Sequence, residues 1–360
     1  MNILFDLSHP AHVHLFRNVI CNLKKDGHNV FVTIKDIPSA VQLLNLYGIP
    51  FECIGHKHDS LRLKAFDQVI YDLKLWWFVL RKHVDIGIHG ITIAHISKLS
   101  RMRSILPDDD DDCVEPLFAK YAHPFADVIL SPKGTPRKSK KTIFHASYHE
   151  LAYLHPDNFT PDQSVLADAG VRPGEPYFVL RFNAFKAHHD INAQGLSLEN
   201  KRRLVSYLQT KGKVFITTER DIDKEWEPFQ LKVSPDKVHS LIYYATMFIG
   251  DSQTMTSEAA VLGTPSIRCN TFVGRIHYLE EEEHKYGLTY GFRPDQTELM
   301  FQKIEQIMSM PDPKQTWAER RQKMLSEKID YARFLTWFIE SFPDSAKTMR
   351  DNPNYQWRFR

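Results

Sequence analysis

The chain has 360 residues, 42% of them hydrophobic and 25% charged, which implies a folded globular protein of two domains rather than one. Its 46 Lys and Arg nearly balance 44 Asp and Glu, so the charge points to no nucleic-acid partner. Four scattered cysteines (Cys21, Cys53, Cys113, Cys269) form no CxxC pair and argue against zinc ribbons and disulfide frameworks.

Strand-like and helix-like runs alternate from the first residue. Residues 2–7 (NILFDL) read as a strand. The helix that follows has apolar Leu15, Phe16, Val19, Ile20 and Leu23 on one face, and Gly27 at its end. The rhythm continues with a strand at 28–34, a helix at 38–48 and a strand at 51–55. After it come a long helical pattern over 61–83, a strand at 84–90, a helix at 95–102, and runs at 103–108 and 126–132 that close the half. A second series starts with the strand 175–182. It proceeds through a helix at 197–211, a strand at 213–220, a helix at 237–245, a strand at 247–252, a further helix and the run 264–269. Such alternation predicts two doubly wound parallel sheets, whose ligands bind at strand C-termini. The leading NILFDL has no basic leader or cleavage site, and no window reaches roughly eighteen unbroken apolar residues. A cytoplasmic protein is expected.

The candidate site residues sit where strands hand over to helices. In GDSQTMTSEAAVLGTPS (250–266), Ser252, Gln253 and Thr254 open a helix whose free N–H groups suit a diphosphate. Glu258 lies two turns in, where a carboxylate can accept from both ribose hydroxyls. Arg181 ends the strand 175–182, where its fork suits phosphate oxygens. In SHPAHVH (8–14), His12 is the chosen catalytic base: at a helix start its cationic form is disfavoured, leaving a neutral imidazole. His149 and Glu150 in YHELAYLHP (148–156) form a second candidate acid–base or substrate-orienting pair, given a turn that lets neighbours point together. His188, His189 and Asp190 read as substrate contacts or plain loop, because adjacent histidines rarely bind one ion. Glu219 and Arg220 are further strand-end candidates. The run Asp108–Asp112 reads as a solvated, mobile loop, with Asp109 the one that could still face the ligand. Neither a metal nor a cofactor is expected. Trp76, Trp77 and Phe78 in KLWWFVLRK (74–82) fit a helix packed on a sheet; the competing reading is a membrane-surface patch.

The segment SEAAVLGTP (257–265) resembles the S-E-x-A-x-x-G-x-P signature of the peptidoglycan N-acetylglucosaminyltransferase, and is similar to the second Glu and following Gly-Lys-Pro of UDP-N-acetylglucosamine 2-epimerases. In both, that Glu binds the nucleotide ribose, which the resemblance carries to Glu258. The epimerases place Ser-Gly-Gly at the phosphates, where this chain has Ser252, Gln253 and Thr254. Their His-Arg pair supports Arg181. His12-Val13 falls on the His-Val of the GGxGGH loop of GT-B transferases, with Pro10-Ala11 replacing glycines. Together with LSHPAHVHLFRN, LRFNAFKAHHD and HKYGL, these stretches resemble the family called domain of unknown function 354, grouped with the GT-B glycosyltransferases. The resemblance implies two facing Rossmann-like domains, 1–160 on the acceptor side and 170–335 on the nucleotide-sugar side, with an interdomain cleft and a tail, 336–360, returning to the first domain. It implies a glycosyltransferase that uses a nucleotide diphosphate sugar as substrate, with a saccharide or lipid-linked acceptor, in surface polysaccharide assembly, with peripheral contact to the membrane's inner face. A hydrolysing 2-epimerase and a non-catalytic nucleotide-sugar-binding protein are the alternatives.

Overall fold

The first 158 residues lay down seven parallel strands with helices between them. They run β1 (Asn2–Leu7), α1 (Pro10–Lys25), β2 (Asn29–Lys35), α2 (Pro38–Leu46), β3 (Glu52–Gly55), α3 (Leu61–Lys82), β4 (Ile86–Ile88) and α4 (Ile91–Ser97). Then follow β5 (Arg103–Pro107), α5 (Pro116–Tyr121), β6 (Val128–Pro132), β7 (Thr142–His145) and α6 (Leu151–Leu154). The structure is a computed structural model. It describes all residues except 56–60, 173, 183–193 and 219–222, and only the backbone of 61–67.

The sheet order is β3-β2-β1-β4-β5-β6-β7, parallel throughout. Its order reverses between β1 and β4, the switch point at which doubly wound sheets open a crevice. α1 begins as the sequence implies: Pro10 occupies the first turn, and the His9 side chain accepts from the Ala11 N–H. Its Phe16, Val19, Ile20 and Leu23 are buried.

The second unit, residues 159–327, contains α7 (Ser164–Asp168), β8 (Tyr177–Arg181), α8 (Leu198–Gln209), β9 (Lys213–Thr217), α9 (Val238–Tyr244) and β10 (Met247–Gly250). It continues with α10 (Gln253–Leu262), β11 (Ser266–Cys269), α11 (His277–His284), β12 (Thr289–Phe292), α12 (Thr297–Met308) and α13 (Pro313–Ser326). The five strands, ordered β12-β11-β10-β8-β9, pair in parallel. Here the switch point falls between β8 and β10. Gly250 permits it: a Cβ there would stand 2.4 Å from the Arg181 carbonyl oxygen.

From Lys328 the chain rejoins the first unit and adds α14 (Tyr331–Glu340) and α15 (Asp344–Asp351). The return thus begins before residue 336. Asp330 causes it by capping α14, accepting from Arg333 N at 3.2 Å and from Asn158 Nδ2 at 2.9 Å. α14 then buries Phe334, Leu335, Phe338 and Ile339 and packs on α1 and α6. Two further expectations change. The helix placed at 95–102 is α4, which starts at Ile91. β7, four residues with alternating exposure, and β12 extend the sheets beyond the expected strands.

Candidate active site

At the switch point of the first sheet the polypeptide places histidines rather than glycines. His12 enters α1 just beyond β1, and His89 follows β4 in a left-handed conformation, φ +69°, which a residue other than glycine adopts only under local constraint. Their rings meet edge to face with centroids 4.1 Å apart. The Ser8 N–H donates to His12 Nδ1 at 3.3 Å. That bond fixes the tautomer: Nδ1 accepts, so the ring proton resides on Nε2. Burial, followed by the neighbouring His89, His9 and His149, holds His12 well below the ordinary 6.5. Burial and His149 push His89 down to about 4, against the pull of Asp108, Asp109 and a hydrogen bond to the Pro107 carbonyl. Both rings are therefore neutral, and His12 presents an N–H donor, not the lone pair a base requires.

The run Asp108–Asp112 is not a solvated, mobile loop. Asp108 and Asp111 are buried, and the turn is held by Arg137 and His123. Arg137 Nη1 bridges Asp108 (2.9 Å) and Asp112 (2.7 Å), Arg137 Nη2 donates to the Asp108 carbonyl at 2.8 Å, and His123 Nε2 reaches Asp108 Oδ2 at 2.7 Å. These bonds hold both ends of the acidic run, Asp108 and Asp112, against the strand end.

Asp109 uses its position to hold a catalytic candidate. Its Oδ2 lies 3.0 Å from His149 Nδ1. Burial pushes this carboxyl up, but the His149 ring, its hydrogen bond and Arg137 outweigh burial and hold Asp109 below the ordinary 3.8. An ionised carboxylate only accepts, so the His149 Nδ1 proton faces Asp109, and in the neutral ring the lone pair lies on Nε2. That Nε2 is buried and has no hydrogen-bond partner among the described residues. His149 also stacks on Tyr331, with centroids 5.2 Å apart. His89 Nδ1 and the Tyr331 hydroxyl are likewise buried without a partner. Unpartnered buried polar atoms are rare in folded proteins, and their concentration here makes this strand end the candidate ligand site. His149 pairs with Asp109, a partner the sequence reading did not name. Glu150 opens α6 in helical conformation, and its side chain is buried.

Beside Asp109, burial and the adjacent Asp109, Glu115 and Asp108 push Asp110 well above 3.8. On the other side of the switch point, burial raises Asp6 to about 6 although it accepts hydrogen bonds from the Tyr71 and Thr33 hydroxyls.

The second unit carries its polar run at its own switch point. Ser252 caps α10, accepting from Met255 N at 3.4 Å, so the local capping role applies to Ser252. Its O–H remains a donor. The amides of Gln253 and Thr254 stand in the first turn, where no intrahelical acceptor exists. Gly263, at φ +79°, closes the helix. Arg181 lies at the end of β8, 9% exposed, with Nη1 donating to Thr217 Oγ1 at 3.2 Å. Asp251 is buried ahead of the helix, 3.9 Å from Lys201 Nζ. Glu258 is 5% exposed, and His239 Nε2 meets its Oε1 at 3.0 Å; the partner makes burial tolerable. The structure thus groups Arg181, Ser252, Gln253 and Thr254 around two strand ends, with Glu258 further along α10 against α9. His188, His189, Asp190, Glu219 and Arg220 lie outside the described residues.

Among the described residues one trio brings metal-type ligand atoms within 4.8 Å of one another: His155, Asp157 and Asp330. The Asp157 N–H already donates to His155 Nδ1 at 3.3 Å, and Asp330 caps α14, so the trio is a helix entry. Sequence reasoning missed Asp109 as the partner of His149, and also His89 and Tyr331. The only signals for them were a His-Gly pair at a strand end and an acidic run that pattern alone assigns to solvent.

Two units, each a parallel sheet wound with helices and each with polar groups at its switch point, define an α/β protein of the GT-B type. Solved structures bear this out. A MnaA–UDP co-structure from S. aureus gives a TM-score of 0.68 at 11% identity, over 96% of this chain and 97% of that one. A UDP-N-acetylglucosamine 2-epimerase gives 0.62 at 13% identity, over 99% and 96%. The glycosyltransferase VinC in complex with DTDP gives 0.60 at 12% identity, over 96% and 100%. At such identities the likeness is one of fold. In sequence, residues 1–152 match the family model described as "Protein of unknown function (DUF354)". An uncharacterized protein of Methanocaldococcus jannaschii is 23% identical over 302 residues, 79% of this chain and 86% of its own length. No helix among the described residues is long and apolar enough to cross a membrane.

Proposed function

We propose that the chain is a glycosyltransferase that uses a nucleotide diphosphate sugar in surface polysaccharide assembly on the cytoplasmic side of the membrane. The observation that carries the reading is the Asp109–His149 pair, with its buried, unpartnered Nε2 at the end of the first sheet. In the proposed step, His149 Nε2 takes the proton of an acceptor hydroxyl, whose oxygen bonds to the anomeric carbon as the bond to the diphosphate breaks. Asp109 stabilises the resulting imidazolium. His12, through Nε2–H, donates to a ligand oxygen. In the second unit the α10 amides of Gln253 and Thr254, the Ser252 hydroxyl and Arg181 hold the departing diphosphate. Glu258, oriented by His239, takes the ribose. The nucleotide in the MnaA–UDP and VinC–DTDP structures supports a nucleotide ligand for this fold.

A panel of UDP-, GDP- and dTDP-sugars, with and without saccharide and lipid-linked acceptors, tests the reading by product mass. A glycosylated acceptor is expected. Release of a 2-epimerised sugar and nucleotide without any acceptor would establish the epimerase instead. One observation favours that second reading: adjacent Asp109 and Asp110 are driven in opposite directions, the kind of divergence that proton abstraction and return use. Nucleotide-sugar binding with no turnover under any condition would leave a binding protein.

A further inference from the structure

α3 carries apolar residues on two sides, yet only one of these is covered. Tyr71, Leu75, Phe78 and Val79 are buried in the core with β1 and α4, as packing on a sheet requires. The opposite side exposes Val69, Ile70, Leu73, Trp76, Trp77 and Leu80, with Leu73 59% and Trp77 58% exposed. The expectation that the tryptophans pack inward therefore fails for Trp77. The orientation of the helix is fixed: the Tyr71 hydroxyl donates to Asp6, and Gln68 Nε2 reaches Asp72 at 2.7 Å and Thr92 at 3.0 Å. Leu99, 70% exposed, extends the patch, since Trp76 Nε1 donates to its carbonyl at 3.3 Å. Exposed apolar patches of this kind mark interaction surfaces.

The border of the patch says what covers it. Arg81 lies 4.8 Å over the Trp77 ring, Lys74 is exposed on the same helix, and Lys98 and Arg101 flank Leu99. The neighbouring carboxylate, Asp127, is bridged by Lys98 at 2.8 Å and Arg103 at 3.6 Å. The rim is thus positive. A second copy docked symmetrically would bring these cations against their own counterparts, whereas an anionic bilayer complements both features. We propose that this face of α3, with Leu99, seats the protein on an anionic lipid surface. Trp76 and Trp77 lie at headgroup level, the aliphatic side chains reach the acyl boundary, and Lys74, Arg81, Lys98 and Arg101 meet lipid phosphates. The inference stands apart from the reading of the active site.

Flotation of the full chain with extruded phosphatidylcholine vesicles, with and without phosphatidylglycerol, tests it. Wild type is expected to float with the phosphatidylglycerol vesicles, with a blue shift in tryptophan emission, and to stay behind with pure phosphatidylcholine. Leu73→Glu/Trp77→Glu should lower partitioning at least about ten-fold. Lys74→Glu/Arg81→Glu should weaken it and flatten its salt dependence. Nucleotide binding and thermal melting by circular dichroism, as fold controls, should match wild type in both. Equal partitioning of wild type and the apolar double variant would overturn the proposal. So would sedimentation equilibrium showing a dimer that the same variant dissolves, with no wild-type vesicle binding.

Discussion

The rings of His12 and His89 meet across the gap between β1 and β4, with centroids 4.1 Å apart. Neither can be protonated without confronting the other, and both are held neutral. This ties stability to pH with a definite sign. An unfolded His89 takes a proton near 6.5, whereas the folded one waits until about 4. Between these values the unfolded state binds more protons, so acid removes stability that is fully present above 6.5. Asp6 acts oppositely: its folded carboxyl protonates at about 6 and its ordinary value is 3.8, so acid adds stability across that window. In thermal melts between pH 4 and 6.5, His89→Gln should therefore remove an acid-side loss of stability of about 3 kcal/mol, and Asp6→Asn an acid-side gain of similar size. A His89→Gln profile parallel to wild type would remove His89 from the linkage.

The Asp109–His149 pair predicts a kinetic signature. His149→Gln should lower kcat by roughly 10²–10⁴ with little change in KM, as loss of a proton acceptor does. Asp109→Asn should lower kcat because the Nδ1 proton loses its carboxylate and the tautomer is no longer fixed. His12→Gln, which keeps a donor, should cost less than His149→Gln. Steady-state kinetics on the productive donor checks the order, and equal losses for His12→Gln and His149→Gln would cancel the distinction between donor and base.

At the second switch point, calorimetry with UDP and UDP-sugars separates two roles. Arg181→Ala should weaken binding of any nucleoside diphosphate roughly ten-fold or more, through lost charge-assisted bonds. Glu258→Gln should weaken nucleoside diphosphates but leave inorganic diphosphate unaffected, since its partner would be the ribose. It should also lower the melting temperature, because His239 loses a buried carboxylate at 3.0 Å. Unchanged nucleotide affinity together with lowered stability would make Glu258 purely structural.

Much of the fold was legible because its signals are local and repeated. Leu15, Phe16, Val19, Ile20 and Leu23 keep helical spacing and are buried, and Ser252 and Gly263 cap α10 as residues of their kinds do. What escaped depends on partners far away in the chain. Asp109 meets a histidine forty residues on, and the buried Glu258 is faced by His239 from another helix. No periodicity encodes such pairs. α3 escaped for a different reason: a helix with two apolar sides looks the same in sequence whether one side or both are covered.

The acidic turn supplies the last prediction. Arg137 Nη1 lies within 2.9 Å of Asp108 and 2.7 Å of Asp112, and its guanidinium also donates to Ser131 Oγ at 2.8 Å. Its side chain is 1% exposed. Arg137→Met would leave two carboxylates without their cation, one of them in the buried stretch beside Asp109, and should destabilise the protein by about 3–5 kcal/mol. Asp109 would also lose a cation that lowers its pKa, so any surviving activity should have its acid limb moved to higher pH. Adding Asp108→Asn and Asp112→Asn to Arg137→Met removes the unpaired charges and should recover part of the lost stability and move that limb part of the way back. Urea unfolding of the three proteins measures the first effect, and pH–rate profiles the second. If Arg137→Met melts like wild type, the turn does not depend on its cation, and the ordering of Asp109 toward His149 must come from the backbone of β5 alone.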